Sequence, residues 1–453
     1  MGLKDRGCCV AKKIGVFLFF IFFLNLVGSP YLVNFGFNEM ILFNTFLIIN
    51  GSICVSIWGN DLKKVILPLF FFTYWSIIMS LGIFRLGYLN IFDLQQVDQC
   101  LIVVIFSSIL IYLGIALGKN FQVKSIKLLH DANISSITYY ILLSMNLFFI
   151  LIRFYFAGGV SEYLTSDYQA KVPTSLQTLF FILKTLLTNF DYLNLVFVIG
   201  NRKKVITKIA RIYFCISILN IFASGGSTGI LFLLLSLILL KLFMSKTRIE
   251  EKKISKKIVP VGVIGVIVGV LIRFNRTNYG EFNFNILGEA INKMIATATF
   301  DCLENYIKVT TQLSPKYIPE QLIYPFVNFL PRDVFPWKPL ELGRVIADTY
   351  YNFGGGLIGG FAPSPMGEFY FDFGYFGIIV GMLAIGCFLG IMQKKINRSQ
   401  YNVYTMCFLV TLVYWSSTIP NWYTGFAIRF IYMIIYFFIV VIIEGLLTNR
   451  KNK

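Results

Sequence analysis

Long apolar runs separated by short basic connectors constrain the fold of this chain more than any other feature of its sequence. A helix needs about twenty consecutive apolar residues to cross the hydrocarbon core of a bilayer, and twelve runs are candidates for such spans. With 57% hydrophobic residues, 14% charged residues and a mean hydropathy of +0.73, the chain has the composition of a membrane protein. The sequence therefore predicts an all-α integral membrane protein with about twelve transmembrane helices. The predicted spans cover roughly residues 14–33, 37–58, 65–84, 100–118, 137–157, 175–199, 209–223, 228–244, 258–273, 374–392, 402–418 and 429–447.

The charge of the connectors predicts the orientation of these spans. The net charge is +18, but Lys and Arg are spread over the connectors rather than gathered on one domain, so the basic balance does not indicate nucleic-acid binding. With a cytoplasmic N-terminus, the inner connectors carry most of these residues, whereas the short outer connectors carry only Arg85 and Lys171. Because basic connectors stay on the cytoplasmic side, we expect both termini to lie in the cytoplasm.

The apolar pattern is interrupted between spans nine and ten by a large outer loop. The sequence therefore divides into residues 1–273 with spans one to nine, the loop at 274–365, and residues 366–453 with spans ten to twelve. Apolar residues near helical spacing predict a helix within Ile286–Val309. Repeated prolines predict turns and extended structure over Leu313–Leu340.

Small residues recur at four-residue spacing in the two spans that flank this loop. Such residues let helix backbones approach closely in lipid. We therefore expect spans nine and ten to be buried together, which would fix the ends of the loop. The residues are Gly265 and Gly269 in span nine, and Gly377, Gly381, Gly386 and Gly390 in span ten.

Missing motifs limit the chemistry that the chain can perform. His130 is the single histidine and the eight cysteines include no Cys-x-x-Cys pair, so neither a multi-histidine metal site nor a disulfide scaffold is indicated. The chain also lacks the Gly-x-x-x-x-Gly-Lys-Ser/Thr motif of phosphate-binding loops. We expect no metal and no cofactor, and a transferase of this kind would need a donor that is already activated and carried by a lipid.

Basic residues at the predicted outer face are candidates for binding a lipid-linked phosphate. Arg273 and Arg276, at the end of span nine, are three residues apart and share one helical face. Two guanidinium groups there suit a pyrophosphate, and the alternative is that they anchor the helix among lipid headgroups. Arg344 lies in the loop, and Arg429 lies at the outer end of span twelve.

A proline-rich stretch within the loop presents two further cations and an indole. Arg332 and Lys338 flank a segment that contains Trp337, and prolines at 331, 336 and 339 stiffen it. Such a loop fits an anionic glycolipid, with the cations facing phosphate and the indole facing a sugar ring. The alternative is an interfacial Trp accompanied by snorkelling cations.

Two acids are candidate catalytic residues. Glu368 lies among Pro363, Pro365 and Gly367, a composition that indicates a broken or re-entrant helix start at the outer mouth of span ten. A carboxylate there can orient a sugar hydroxyl or accept its proton. The alternative is that it satisfies the free N–H groups of a helix start. Asp301 is the second acid that we consider.

The stretch from Pro331 to Gly377 resembles a known family. The bacterial O-antigen, or oligosaccharide repeat-unit, polymerases called Wzy show a similar pattern, and the predicted helix count and the position of the outer loop extend the resemblance to the whole topology. The residues that carry it are Pro331-Arg332, Pro336-Trp337-Lys338-Pro339, the Gly354-rich sequence, Gly367-Glu368-Phe369-Tyr370 and Phe373-Gly374.

The resemblance implies a membrane glycosyltransferase of GT-C-like fold in the bacterial inner membrane. Such enzymes move a growing glycan from undecaprenyl diphosphate onto the terminal sugar of a repeat unit on a second undecaprenyl diphosphate, at the outer face, with neither metal nor nucleotide. The implied partners are these lipid-linked glycans, the lipid bilayer, a chain-length regulator and a flippase, and no nucleic acid.

Carried over residue by residue, the resemblance assigns Arg332 and Lys338 to the basic motif between prolines, and Glu368 to the Gly-Glu pair before span ten. The family often has an arginine in a Gly-Ser-Arg-Gly-like turn, where this chain has Ser224–Gly229 without a cation. Phosphate binding would then rely more on the remaining arginines. We expect catalytic roles for Glu368, Arg332 and Asp301, and substrate binding by Arg273, Arg276, Lys338, Arg344 and Trp337.

Three other functions remain open from the sequence. A flippase of lipid-linked oligosaccharides also has about twelve spans, but we would expect its charges inside the bundle and its loops to be short. An O-antigen ligase typically uses an outer-face histidine, and His130 is predicted to be cytoplasmic. A non-enzymatic scaffold of a glycan-assembly complex is the third alternative.

Overall fold

The computed structural model describes residues 3–58, 62–121, 134–159, 172–199, 204–223, 227–245, 247, 249–250, 253–254, 301–330, 332, 334–351, 361–398 and 403–449. Within these ranges the regular structure is entirely helical, as predicted. Apart from a single 3-10 turn at Leu62–Lys64, the described elements are α1 (Leu3–Gly28), α2 (Phe37–Ile57), α3 (Ile66–Leu89), α4 (Leu94–Asn120), α5 (Ser136–Ala157), α6 (Thr174–Ile199), α7 (Lys204–Ala223), α8 (Ser227–Met244), α9 (Cys302–Gln312), α10 (Glu320–Val327), α11 (Leu342–Tyr351), α12 (Ser364–Arg398), α13 (Val403–Ser416) and α14 (Tyr423–Asn449).

Seven of the described helices are long and apolar enough to cross a membrane, namely α2 to α6, α12 and α14. Their outer faces leave large apolar side chains exposed, such as Phe148 and Phe438, whereas their inner faces fully bury Trp75 and Phe84. This arrangement suits a bundle with lipid around it, and the chain is an integral membrane protein. Shorter apolar stretches occur in α1, α8 and α13. Predicted span nine, residues 258–273, lies outside the described residues.

Four glycines bring α4 and α12 into close backbone contact. A Cβ atom at Gly114 or Gly118 would collide with the backbone of α12 at Leu383 or Cys387, and one at Gly386 or Gly390 would collide with the backbone of α4. Close approach through small residues, expected for Gly386 and Gly390, is therefore confirmed. Their partner is α4, while the expected contact with span nine falls outside the described residues.

The other two glycines of span ten serve the helix to which they belong. Helix α12 is broken at Phe373 and Gly374, where Gly374 has φ 64° and ψ −154°, a conformation that favours glycine. The break separates a half-helix of residues 364–372 from the longer remainder. Cβ atoms at Gly377 and Gly381 would overlap the backbone and the ring of Phe369, so these glycines let the half-helix fold against the rest of α12.

Hydrogen bonds tie the predicted inner connectors together at one end of the bundle. The side chain of Gln393 accepts from the backbone N–H of Leu67 at 2.9 Å and donates to the carbonyl of Lys63 at 3.1 Å. The ammonium of Lys394 donates to the carbonyl of Lys119 at 2.7 Å. The connectors after spans two, four and ten therefore share one end, as the alternating topology requires.

Helix α9, in the segment predicted to face outward, docks on the opposite end of the bundle through a buried ion pair. Glu304 on α9 accepts from Nε of Arg85 at 2.8 Å and lies 2.7 Å from its Nη2, and the ammonium of Lys308 is 2.7 Å from the other carboxylate oxygen. Burial raises the pKa of Glu304, but the bond from Lys308 and the charges of Arg85 and Lys308 outweigh it, so the pKa is lowered. Leu303 packs against Gly82 of α3.

The prediction of turns and extended structure over Leu313–Leu340 is wrong between Glu320 and Val327, where the chain forms α10. Pro319 precedes the first helical residue, where a missing N–H costs nothing. Pro325 lies inside the helix and cannot donate to the carbonyl of Gln321. The hydroxyl of Thr424 approaches that carbonyl at 3.4 Å instead, so a tertiary contact compensates for the proline.

The close contact between α4 and α12 predicts that a methyl group added at a contact glycine will destabilise the protein. Gly386→Ala should destabilise the protein by about 1–3 kcal/mol, because the new Cβ would overlap the carbonyl oxygen of Ile111. Gly445→Ala is the matched control, since no atom lies within 4 Å of its Cβ position. Thermal unfolding in detergent measures both variants, and equal unfolding temperatures would contradict the described packing.

Candidate active site

Two acids of the half-helix, one turn apart, bind the N-termini of two other helices. Glu368 accepts from the backbone N–H of Tyr423 at 2.7 Å and of Thr424 at 3.1 Å, at the start of α14. Asp372 accepts from the N–H of Gln321 at 3.0 Å and of Leu322 at 3.1 Å, at the start of α10. Free N–H groups and the positive end of a helix favour a carboxylate. The half-helix therefore fixes where α10 and α14 begin.

The predicted helix break near Glu368 is present, five residues further along at Phe373 and Gly374. Glu368 itself is fully buried, with 0% exposure. Both of its oxygens already accept backbone hydrogen bonds. Its surroundings match the alternative in which the acid satisfies N–H groups of a helix start, although the helix concerned is α14 rather than its own. The catalytic role assigned to Glu368 stays a prediction.

The side chain of Gln321 connects α10 to the start of α11. Its amide nitrogen donates to the carbonyl of Leu340 at 2.9 Å, and its amide oxygen accepts from the N–H of Leu342 at 2.9 Å. The side chain is 1% exposed. These two bonds clamp the backbone on both sides of Glu341, so the position of Glu341 is set by α10 and, through Asp372, by the half-helix.

The proline-rich loop between α10 and α11 is closed by its own cations. The ammonium of Lys338 donates to the carbonyls of Asn328 at 2.6 Å and Leu330 at 3.1 Å, and Arg332 donates to the carbonyl of Pro339 at 2.9 Å. Trp337 is 62% exposed. The predicted presentation of an exposed indole between two cations is therefore present, but Lys338 also acts as a structural clamp.

The charges of Lys338, Arg344 and Arg429 act on one carboxylate, Glu341, and Arg332 lies near Lys338. We call these four cations the cationic cluster. Burial raises the pKa of Glu341 to about 7, and the charges of Arg429, Lys338 and Arg344 oppose that rise. Burial lowers the pKa of Lys338, and the neighbouring charge of Arg332 lowers it further. The hydroxyl of Tyr432 on α14 donates to the side-chain oxygen of Asn328 at 2.9 Å, so the loop and α14 lie together at one end of the bundle.

Arg429 was not among the substrate-binding residues assigned from the sequence, although its place at the outer end of span twelve was evident. It lies in the second turn of α14, and its Cζ atom is 5.1 Å from the centroid of the Trp415 ring. A guanidinium over an indole face is held by a cation–π interaction. The signal that could have selected it is the cost of placing an arginine inside an apolar span.

Asp301 lies apart from the cationic cluster. It is the residue before α9 and is fully buried. Burial raises its pKa to about 7, the side chain of Asn305 lowers it, and the nearby charges are those of Glu304 and Arg85. Neither carboxylate oxygen has a full hydrogen bond to a described residue. The structure therefore associates Asp301 with the ion pair beneath α9 and not with Arg332 or Lys338.

Other predicted residues cannot be placed in this site. Arg273 and Arg276 lie outside the described residues, as do Ser224, Gly225 and Gly226 of the Ser224–Gly229 turn. Of the eight residues assigned from the sequence, the structure brings together Arg332, Trp337, Lys338 and Arg344. The arrangement can bind an anion with more than one negative charge, because its positive groups are preorganised on short loops and helix starts.

Comparison with known proteins agrees with the resemblance seen in the sequence. Residues 14–453 match the family model described as O-antigen polysaccharide polymerase Wzy. No curated protein and no solved structure matches the chain at a significant level. The family match spans nearly the whole chain, including the cationic cluster and the half-helix, and the chain belongs to the O-antigen polysaccharide polymerase (Wzy) family.

Proposed function

We propose that this membrane protein joins oligosaccharide repeat units carried on undecaprenyl diphosphate into O-antigen or capsule-type polysaccharide. The reaction transfers the growing glycan from its lipid diphosphate to the terminal sugar of a new lipid-linked unit. The match to the Wzy family over residues 14–453 carries this conclusion, and it favours polymerisation over the flippase, ligase and scaffold alternatives. Neither a metal nor a nucleotide takes part in the proposed reaction.

The cationic cluster supports a diphosphate as the leaving group. Arg332, Arg344 and Arg429 can offer N–H groups to phosphate oxygens in pairs. Fixed positive charge at the point where negative charge develops lowers the barrier to the departure of the lipid diphosphate. Arg273 and Arg276 are part of the same proposal on the basis of their spacing.

The proposed topology has twelve spans of GT-C-like architecture, with both termini in the cytoplasm of the bacterium. The hydrogen bonds of Gln393 and Lys394 support it, because they join basic connectors at one end of the bundle, and such connectors stay in the cytoplasm. The ion pair between Arg85 and Glu304 lies at the other end, so α9 faces outward in this topology. A chain-length regulator and a flippase are its proposed partners.

Removing one member of the cationic cluster should stop polymerisation without unfolding the protein. Arg332→Ala or Arg429→Ala should reduce chain extension by about 10²–10³-fold, because each removes a positive group that faces the departing diphosphate. A deletion strain carrying either variant should display single repeat units, which sizing of the surface glycan detects.

Lys316→Gln is the matched control for these two variants. Lys316 is a cation of the same outer segment that pairs with Glu320 at 2.8 Å, outside the cluster, and an exposed pair of this kind contributes about 0–1 kcal/mol to stability. Its glycan should keep the normal range of chain lengths. A normal range in the arginine variants as well would refute the proposed role of the cluster.

Glu368→Gln separates the two roles of that acid. If Glu368 mainly holds the start of α14, Glu368→Gln should destabilise the fold by about 1–2 kcal/mol, and Asp372→Asn at the start of α10 should have a similar effect. Thermal unfolding and glycan sizing are measured on both variants. Loss of chain extension by Glu368→Gln at an unchanged unfolding temperature would instead support the proton-accepting role predicted from the sequence.

A further inference from the structure

The acids of the outer segment differ in whether they already have an ion-pair or hydrogen-bond partner. Among the described acids of residues 301–372, six have a structural partner or lie away from the cationic cluster. Glu304 pairs with Arg85, Glu320 with Lys316 and Asp348 with Arg344, Glu368 and Asp372 hold helix starts, and Asp301 lies beneath α9. Glu341 is the remaining one.

Glu341 has an unsatisfied oxygen at the centre of the cluster. Its Oε1 is buried and makes no hydrogen bond to a described residue, and the side chain as a whole is half-buried. A buried carboxylate oxygen without a donor costs free energy. Such an arrangement persists in a native structure when the surrounding contacts impose it and is typical of functional sites.

The surrounding contacts do impose this position. Glu341 is the residue before α11, and its own carbonyl accepts from the N–H groups of Arg344 and Val345 at 2.9 and 3.1 Å. Gln321 binds the backbone on either side of it, at Leu340 and Leu342. The backbone of Glu341 is therefore fixed, and its Oε1 atom has no hydrogen-bond donor among the described residues.

We propose that Glu341 accepts the proton of the acceptor hydroxyl during chain extension. This inference rests on the polymerase function proposed above. Glu341 lies near the cations that would bind the diphosphate, so the sugar carbon attached to that diphosphate, and the hydroxyl that attacks it, would come within reach of the carboxylate. Neither Glu368 nor Asp301 has an equivalent position, because their described neighbours are helix N–H groups and a separate ion pair.

The step balances without a further reactant. The acceptor oxygen forms a bond to the anomeric carbon of the donor sugar, and the bond between that carbon and the phosphate oxygen breaks. The lipid diphosphate leaves with the bonding electron pair, and the cationic cluster stabilises its negative charge. The hydroxyl proton passes to the Glu341 carboxylate, and afterwards to water.

The charges around Glu341 give the reaction a defined pH dependence. The charged and titratable groups that face it are Arg429 on α14, Lys338 in the loop, Arg344 on α11, Tyr324 on α10 and Glu368 on the half-helix. Because burial raises the pKa of Glu341 to about 7, the carboxyl is mostly protonated below pH 7 and mostly ionised above it. The rate of chain extension should therefore rise between pH 6 and pH 8.

Glu341→Gln tests this assignment in the purified full-length protein, reconstituted in vesicles with lipid-linked repeat units. Chain extension should fall by about 100-fold or more. The rise in the unfolding temperature of the protein on addition of inorganic pyrophosphate should be unchanged or larger, because a negative charge is removed from the cluster. Glu320→Gln removes a carboxylate outside the cluster and should extend chains at the normal rate. Formate should partly restore extension by Glu341→Ala, since it can take the place of the missing carboxylate.

Each other outcome is decisive. Normal extension by Glu341→Gln would overturn the assignment and leave the polymerase function intact. Loss of extension together with loss of stabilisation by pyrophosphate would show that Glu341 positions the cations, and would also overturn it. If the unaltered protein fails to extend lipid-linked units, the proposed function itself fails, and the role of Glu341 fails with it.

Discussion

The end of the bundle that carries the cationic cluster depends on carboxylates that bind helix N-termini. Glu368 and Asp372 lie one turn apart on a buried half-helix and receive the first N–H groups of α14 and α10. Each contact places a negative charge at the positive end of a helix in a region with little water, where such interactions are strong. Because α10 then positions Gln321, and Gln321 clamps both sides of Glu341, one short helix determines the geometry of the whole cationic cluster.

The positive charges of the cluster do not all have the same task. Lys338 and Arg332 donate to backbone carbonyls of their own loop, so part of their hydrogen-bonding capacity stabilises that loop. Arg429 stacks on Trp415 and comes from a different part of the chain. The cluster combines a stiff loop with a guanidinium on a membrane helix, and hydrogen bonds and a cation–π contact hold these charges in place. Preorganisation of this kind is what electrostatic catalysis requires.

Sequence reasoning recovered features that depend on local pattern. Apolar runs predicted the all-helical membrane fold, glycine spacing predicted close packing by Gly386 and Gly390, and proline spacing predicted a stiff loop at Arg332 and Lys338. It failed where a tertiary contact overrides local preference. Helix α10 forms despite Pro325 because Asp372 and Thr424 satisfy its backbone. Gln321 and Glu341 carry no sequence signal, since their importance comes from neighbours that are distant in the chain.

The two helix caps have a consequence for the order in which the protein is made. Glu368 binds backbone groups at Tyr423 and Thr424, and Arg429 is the last member of the cluster in chain order. Until the ribosome has produced α14, there is no helix start for Glu368 to hold, and Arg429 is absent. The cationic cluster can therefore be complete only after α14 has been synthesised, so a product truncated before α14 would enter the bilayer with an incomplete cluster.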